Sequence, residues 1–171
     1  MTETRNAPAR SRNLDQYGHA ELPWSRARDL LTAGSGTMDL TFFVSTTRPD
    51  GRPHTAPVGA VWLDDSLWFA GGPGTRRSRN LATNPACTVS VRLPGLDLVF
   101  EGEARRVTSS GELEHVAAYY RRTGWPATVV EGAFTAPSAG PPPWHLYRLR
   151  PRTAFGVATA EPHGATRWDF P

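Results

Sequence analysis

The segment Gly74–Asn80 carries the densest set of groups in the chain that can bind an anion. It reads Gly-Thr-Arg-Arg-Ser-Arg-Asn, which places two hydroxyl groups and three guanidinium groups within seven residues. Guanidinium groups form charge-assisted, bidentate hydrogen bonds to phosphate or carboxylate oxygens. If a helix begins here, its unpaired N–H groups also attract an anion. The segment therefore predicts a phosphate site, although a surface helix with a solvated basic face has the same pattern.

The elements around this segment are those that would position such a site. Residues Ser66–Ala70 favour a strand, and the glycine-rich bend Gly71–Gly74 cannot continue it. Thr75–Thr83 then favours a short helix, with Thr75 at its start and Asn84 and Pro85 after its end. The pattern indicates a strand that leads through a bend into a helix N-terminus.

The rest of the chain is predicted to form short strands and two further helices. Thr, Val and aromatic residues mark the strands, while Pro, Gly and Asp mark the turns. Besides Ser66–Ala70, the predicted strands are Leu40–Thr47, Arg52–Leu63, Ala86–Leu93, Leu96–Val107, Trp144–Arg150 and Thr153–Thr159. The further predicted helices are Pro23–Leu31 and Ser110–Arg122, and Glu131–Pro143 is predicted as a long binding loop. This set indicates a mainly β protein with minor helices, in a closed or split antiparallel barrel.

Length and composition favour one domain. The chain has 171 residues, of which 39% are hydrophobic, and we expect residues 21–171 to form a single domain. Residues 1–20 have few apolar side chains, so we expect a disordered arm. No apolar run of about 18 residues suits a membrane span, and no apolar signal segment is present, so we expect a soluble, cytoplasmic protein without membrane contact.

All 19 basic residues are arginine, and the formal net charge is +3. Arginine suits anionic partners, but a genome rich in arginine, alanine, glycine and proline codons would give the same composition. A nucleic-acid-binding barrel would use the basic arm and Arg76–Arg79, but it also needs exposed aromatic side chains on which bases can stack. We expect the aromatics of this chain to be mostly buried, so we do not expect nucleic acid as a partner.

From about Leu40 to Phe170, the chain resembles the pyridoxamine 5'-phosphate oxidase-like family of split β-barrels, which bind FMN or coenzyme F420. The matching segments are FVSTTRPDGRPHTAPVGAVW, LWFAGGPGTRRSRNLATNPACTVSV, VFEGEARRV, LYRLRPRTAFGV and TRWDF. Each segment is weak alone, and their order and spacing carry the resemblance. It implies a split antiparallel β-barrel of the flavin-binding type.

The resemblance also implies a set of cofactor-binding residues. The family's phosphate-binding positions fall on Thr75, Arg76, Arg77 and Ser78. Its platform for the flavin ring falls on Ala56, Pro57, Val58 and Gly59. Glycine lets the backbone approach a flat ring closely, although Gly59 could instead relieve crowding or mark a bulge.

The resemblance further implies a homodimer in which the partner chain completes each cofactor site. Arg167 and Trp168 near the chain end are candidates for that contribution, as a cation and an aromatic wall. Docking of this tail onto its own barrel is the alternative.

By resemblance, we expect a flavin- or deazaflavin-dependent oxidoreductase that transfers hydride between FMN or coenzyme F420 and a small organic substrate. The sequence does not separate the two cofactors, and the substrate stays undefined; the loop Glu131–Trp144 is the candidate for contacts to it. The further C-terminal segments of true pyridoxamine 5'-phosphate oxidases have no match in this tail, which argues against that activity. The alternative is a non-catalytic module that stores or senses flavin or haem.

Other chemistry is less well supported. No metal-ligand spacing, GxSxG elbow or GxGxxG motif is present. His54 or His145 could donate a proton, but a strand histidine is more often a half-exposed filler, so we assign no catalytic residue. We expect Trp62, Trp68 and the lone cysteine Cys87 to pack in the core.

Overall fold

A computed structural model describes residues 7–37, 39–136 and 143–171. The described residues are mainly β with a few helices, as predicted. The strands are β1 (Arg10–Asn13), β2 (Phe42–Thr47), β3 (Pro53–Val58), β4 (Ala60–Leu63), β5 (Ser66–Gly71), β6 (Ala86–Leu93), β7 (Leu96–Arg106), β8 (Thr128–Val130), β9 (Ala133–Thr135), β10 (His145–Ala158) and β11 (Ala165–Asp169). The helices are α1 (Trp24–Gly34), α2 (Arg76–Thr83) and α3 (Ser110–Arg122).

Nine of these strands form one antiparallel sheet: seven follow the order β1-β11-β10-β7-β6-β2-β3, and β5 and β4 branch from β10. The long strand β10 pairs with β7 over most of its length, from Tyr147 to Ala158. On its other side, residues 145–149 of β10 pair with β5, and residues 153–157 pair with β11. β5 then pairs with β4, while β8 and β9 form a separate hairpin.

The sheet must curl, because the single residue Gly59 joins two strands from opposite ends of the strand order. β3 and β4 are separated only by Gly59, yet they lie at opposite ends of the path β3-β2-β6-β7-β10-β5-β4. In a flat sheet these ends would lie about 29 Å apart, at a strand spacing of about 4.8 Å. Two residues of chain span at most about 7 Å, so the edges must approach each other. The described pairings include no ladder between β3 and β4, and closure into a barrel stays a prediction.

Two hydrophobic clusters fill the interior. The larger lies under the main sheet and α1, where Trp24, Trp62 and Phe100 pack together. The smaller surrounds α3 and includes Trp68 and Tyr120. The predicted burial of Trp62 and Trp68 is confirmed.

Cys87 is also buried, as predicted. Burial raises the pKa of its thiol to about 12. The thiolate is the nucleophilic form of cysteine, so this residue is inert at neutral pH.

The expectation of a disordered arm over residues 1–20 is wrong for residues 10–13, and residues 1–6 lie outside the described residues. Strand β1 pairs with the edge strand β11, with Arg10 opposite Asp169. All four side chains of β1 are exposed. Backbone hydrogen bonds rather than apolar burial hold this strand, so hydrophobic patterning could not reveal it.

Three further boundaries differ from the sequence prediction. The strand predicted over Arg52–Leu63 is interrupted at Gly59. The two strands predicted over Trp144–Arg150 and Thr153–Thr159 form the single strand β10, in which Pro151 stays paired with Gly102 and a register shift leaves Arg152 without a partner in β7. The loop predicted over residues 131–143 contains β9, and its residues 137–142 lie outside the described residues.

Two kinds of feature were not found in the described part of the chain. No helix there is both long enough and apolar enough to cross a membrane. Nor do three His, Cys, Asp or Glu side chains come together there in an arrangement that could hold a metal ion.

Candidate functional site

Helix α2 begins where the sequence predicts, directly after the glycine-rich bend. Thr75 is its N-cap, and the Thr75 hydroxyl accepts a hydrogen bond of 3.2 Å from the Ser78 backbone N–H. The Thr75 hydroxyl also lies 3.0 Å from both the Gly72 carbonyl oxygen and the Ser78 hydroxyl. Both hydroxyl groups therefore help to form the turn that starts the helix.

The two adjacent arginines at this helix start have different surroundings. Arg76 is exposed, whereas only 8% of Arg77 is accessible. The Arg77 Nη2 donates a hydrogen bond of 3.2 Å to the Ala70 carbonyl oxygen, and the guanidinium lies 5.5 Å from the centre of the Phe69 ring. The side chain of Arg77 therefore turns back over β5, so a fully solvated basic helix face does not describe this arginine.

The Nε of Arg77 is buried and has no hydrogen-bond partner among the described residues. Burial lowers the pKa of this guanidinium, with the nearby Tyr147 acting in the opposite direction. A buried donor without a partner costs free energy, because it has lost its hydrogen bonds to water. Such a donor is where an anionic ligand would be most stabilising.

Gly71 provides the space for this arrangement. A Cβ atom at Gly71 would lie 2.6 Å from the Arg77 Nη2. The absence of a side chain at this position therefore allows Arg77 to reach the Ala70 carbonyl oxygen.

Arg77 lines a pocket of about 710 Å³. Its floor is the apolar run Pro57–Val61 with Ala70, and Tyr120, Trp125 and Trp144 provide aromatic surface. The described lining residues are Gly36, Thr37, Pro57, Val58, Gly59, Ala60, Val61, Ala70, Arg77, Tyr120, Thr123, Gly124, Trp125 and Trp144. Among these residues, Arg77 is the one charged side chain. The pocket suits a flat, largely apolar group attached to an anionic one.

The pocket brings together four residues that the sequence analysis selected, namely Pro57, Val58, Gly59 and Arg77. A Cβ atom at Gly59 would meet no protein atom within 4 Å, so the chain's own packing does not require glycine there. Crowding is thus excluded as the reason for this glycine. The interruption of the strand at Gly59 does agree with the irregularity considered as the alternative.

The other predicted site residues do not line this pocket. Ala56 is opposite Val44 in the sheet, and Thr75 and Arg76 belong to the helix start. Ser78 lines a different groove of about 650 Å³, together with His145. Burial, followed by the charge of Arg106, lowers the pKa of His145.

The prediction that Trp168 completes a partner's pocket is wrong, and the alternative of docking on its own chain is confirmed. Only 1% of Trp168 is exposed, and its ring lies 5.4 Å from that of Trp24 in the core. Gly156 gives the indole its space, since a Cβ there would lie 2.6 Å from the Trp168 Cη2. Arg167 lies over the Phe155 ring and donates a hydrogen bond to Asp169.

Residues 37–164 match the family model described as pyridoxamine 5'-phosphate oxidase, which is about three quarters of the chain. The chain belongs to the pyridoxamine 5'-phosphate oxidase family. The match includes every residue that lines the Arg77 pocket except Gly36, whereas β1, Arg167 and Trp168 lie outside it. No curated protein matches the sequence.

Several solved structures share the fold of this pyridoxamine 5'-phosphate oxidase family member. A pyridoxamine 5'-phosphate oxidase-related, FMN-binding protein from Nostoc punctiforme PCC 73102 has a TM-score of 0.58 and 16% identity, over 86% of this chain and 91% of its own. A protein named F420 reductase has a TM-score of 0.52 and 22% identity, over 74% and 94%. General Stress Protein 26 from Bacillus anthracis str. Sterne has a TM-score of 0.54 and 17% identity, over 78% and 93%. At these identities the likeness shows the fold alone.

Tyr120 and Trp125 also line the pocket of this family member, although their sequence positions did not indicate it. Tyr120 donates a hydrogen bond of 3.4 Å to the Trp68 carbonyl oxygen, and its ring meets that of Trp125 edge to face at 4.8 Å. Trp144 lies in the predicted substrate loop, and its indole N–H is buried with no partner among the described residues. The aromatic residues at the end of α3 were the available signal, but only the folded chain places them opposite β3 and β4.

Proposed function

We propose that this protein is an oxidoreductase that binds FMN or coenzyme F420 in the Arg77 pocket and acts on a small organic substrate. The observation that carries the proposal is the buried, unpartnered Nε of Arg77 in the lining of an apolar, aromatic pocket. Both cofactors combine a flat ring with a phosphate, which matches this lining. Membership of the pyridoxamine 5'-phosphate oxidase family supports the same reading.

In this proposal, Arg77 binds the cofactor phosphate, and the exposed Arg76 adds a second positive charge nearby. Pro57, Val58 and Gly59 form the surface beside the ring, and Trp125 and Trp144 exclude water from it. The bound cofactor supplies hydride transfer, while the chain supplies binding, orientation and a dry pocket. Thr75 and Ser78 act indirectly, since their hydroxyl groups form the turn that positions Arg77.

We also propose that the protein is a cytoplasmic homodimer in which a second copy closes the open side of the pocket. Arg167 is a partly exposed cation that could contact a cofactor bound to the partner, whereas Trp168 is buried in the core of its own chain. Phe43 on β2 is 44% exposed, which gives an apolar contact point for such an interface.

The test is a titration of the purified apo-protein with FMN and, separately, with oxidised coenzyme F420, followed by ligand fluorescence. We expect micromolar or tighter binding of one cofactor. Quenching of tryptophan fluorescence should accompany it, because Trp125 and Trp144 line the pocket. Failure of both cofactors to bind at millimolar concentration would overturn the proposal.

The second candidate is a non-catalytic module that holds a cofactor for storage or sensing. One observation favours it: the described lining residues include no histidine, cysteine, aspartate or glutamate that could move a proton. A holoprotein that neither oxidises nor reduces its cofactor with NAD(P)H or with a panel of small electron acceptors would support this candidate.

The variant Gly71→Ala is expected to weaken cofactor binding about tenfold without unfolding the protein. Its Cβ would displace the Arg77 Nη2, which is the end of a flexible side chain and can move at little cost to the fold. A tenfold change corresponds to about 1.4 kcal/mol, or roughly one hydrogen bond to a charged group. The measurement is the cofactor dissociation constant beside the denaturation midpoint.

The matched control is Gly74→Ala in the same bend. A Cβ there would meet no atom within 4 Å, so affinity should stay within about twofold of the parent. Equal losses in both variants would show that the bend, rather than the position of Arg77, controls binding.

A further inference from the structure

A second groove, of about 530 Å³, lies between β7, β10 and the start of α3. It shares no lining residue with the Arg77 pocket. Its described lining has five arginines but only two acidic side chains, Glu103 and Glu112. The arginines are Arg105, Arg106, Arg148, Arg150 and Arg152.

The two acidic side chains are already engaged. Glu112 accepts a hydrogen bond of 2.9 Å from Arg148. Glu103 accepts hydrogen bonds from both Arg105, at 2.7 Å, and Arg152, at 3.4 Å.

Two arginines of the groove have no carboxylate partner among the described residues, Arg106 and Arg150. Arg150 is the cross-strand neighbour of Glu103, but no ion pair joins them, since Glu103 is bonded to two other arginines. Five positive charges against two negative ones leave an excess of three. Even with a carboxylate at Pro171, which also lines the groove, the excess is two.

One of the positive groups, the Arg148 guanidinium, is held in place by its neighbours. Arg148 donates a hydrogen bond of 3.0 Å to the Ser66 hydroxyl, and its guanidinium lies 4.7 Å from the centre of the Trp68 ring. Only 21% of the Arg148 side chain is exposed. Its cross-strand neighbour is another arginine, Arg105, and like charges directly opposite each other destabilise a sheet. An anion bound between them would relieve that repulsion.

The start of α3 adds neutral donors to the same groove. Ser109 is the N-cap residue, but its side chain makes no capping hydrogen bond. Ser109 and Thr108 both line the groove beside the arginines.

We propose that this groove binds a small multivalent oxyanion, a molecule that carries two or more phosphate or carboxylate groups. Guanidinium forks pair with either kind of oxygen, and their spread over two strands favours several anionic groups over one. A volume of about 530 Å³ has room for a small molecule. This inference is independent of the proposed cofactor site.

The test is calorimetric titration of the full-length protein with pyrophosphate and with citrate at low salt, each with and without saturating FMN or coenzyme F420. We expect sub-millimolar binding of at least one anion, unchanged by the cofactor. Tight binding of pyrophosphate alone would identify a phosphate ligand, and tight binding of citrate alone would identify a polycarboxylate. Loss of binding when cofactor is added would overturn the proposal, because the anion would then occupy the cofactor site.

The variants Arg150→Gln and Arg106→Gln should each weaken anion binding about tenfold, while leaving cofactor affinity unchanged. The control is Arg92→Gln on β6, which removes the same charge from an exposed arginine that pairs with Asp97 outside the groove. Arg92→Gln should change the dissociation constant of the anion by less than about twofold. Equal weakening by all three variants, no binding of either anion, or preferential binding of a single-stranded oligonucleotide would overturn the proposal.

Discussion

Replacing Arg77 with alanine is expected to weaken cofactor binding by at least about 100-fold. Arg77 is buried and its Nε has no partner, so a phosphate would gain charge-assisted hydrogen bonds in a place poor in water. Two bonds of about 1.5 kcal/mol each correspond to about 100-fold in affinity. The measurement is fluorescence titration of the variant with the cofactor that the parent protein binds.

Two further variants separate the roles of charge and position. Arg76→Ala removes an equal charge from an exposed neighbour and should cost less than about tenfold. Arg77→Lys keeps the charge but loses the planar fork, so its affinity should lie between that of the parent and that of Arg77→Ala. Unchanged affinity in a folded Arg77→Ala protein would remove Arg77 from the site.

Replacing Trp168 with alanine is expected to lower the free energy of unfolding by about 3–5 kcal/mol. The indole is almost fully buried against Trp24 and Gly156, so its loss leaves a large cavity in the core. Urea denaturation of the parent and the variant measures the difference.

Val157→Ala on β10 is the control for this change. Val157 is 53% exposed, and its truncation should alter stability by less than about 1 kcal/mol. If Trp168→Ala kept its stability but lost cofactor, the tail would belong to a partner's site instead of its own core.

Much of the fold was predictable because local chemistry determines it. The bend Gly71–Gly74, the N-cap Thr75 and the hairpin turns act over a few residues, and the elements around them formed as predicted. β1 was not predictable, since it is held by backbone pairing to a strand about 155 residues away and shows no apolar pattern. The single strand β10 was hidden by Pro151, which reads locally as a break.

The candidate site was predictable only in part. The sequence pattern identified Arg77, and the family resemblance pointed to Gly59. Neither showed that Arg77 turns inward, because that depends on the space left by Gly71. Tyr120 and Trp125 join the pocket through tertiary packing between α3 and the sheet. The tail pattern was ambiguous, because an aromatic residue near a chain end suits a partner's site and its own core equally well.

The curl at Gly59 also has a consequence for the order of folding. The hairpins β2–β3, β4–β5 and β6–β7 join near neighbours in sequence, whereas the pairing of β5 with β10, which places Leu67 beside Leu149, joins distant residues. Pairings between distant residues form slowly, because the intervening chain must first be ordered. The Arg77 pocket takes residues from both ends of the curled sheet, so it assembles only when this late pairing is complete. A ligand held there would bind the folded chain alone and would raise the free energy of unfolding with the logarithm of the free ligand concentration.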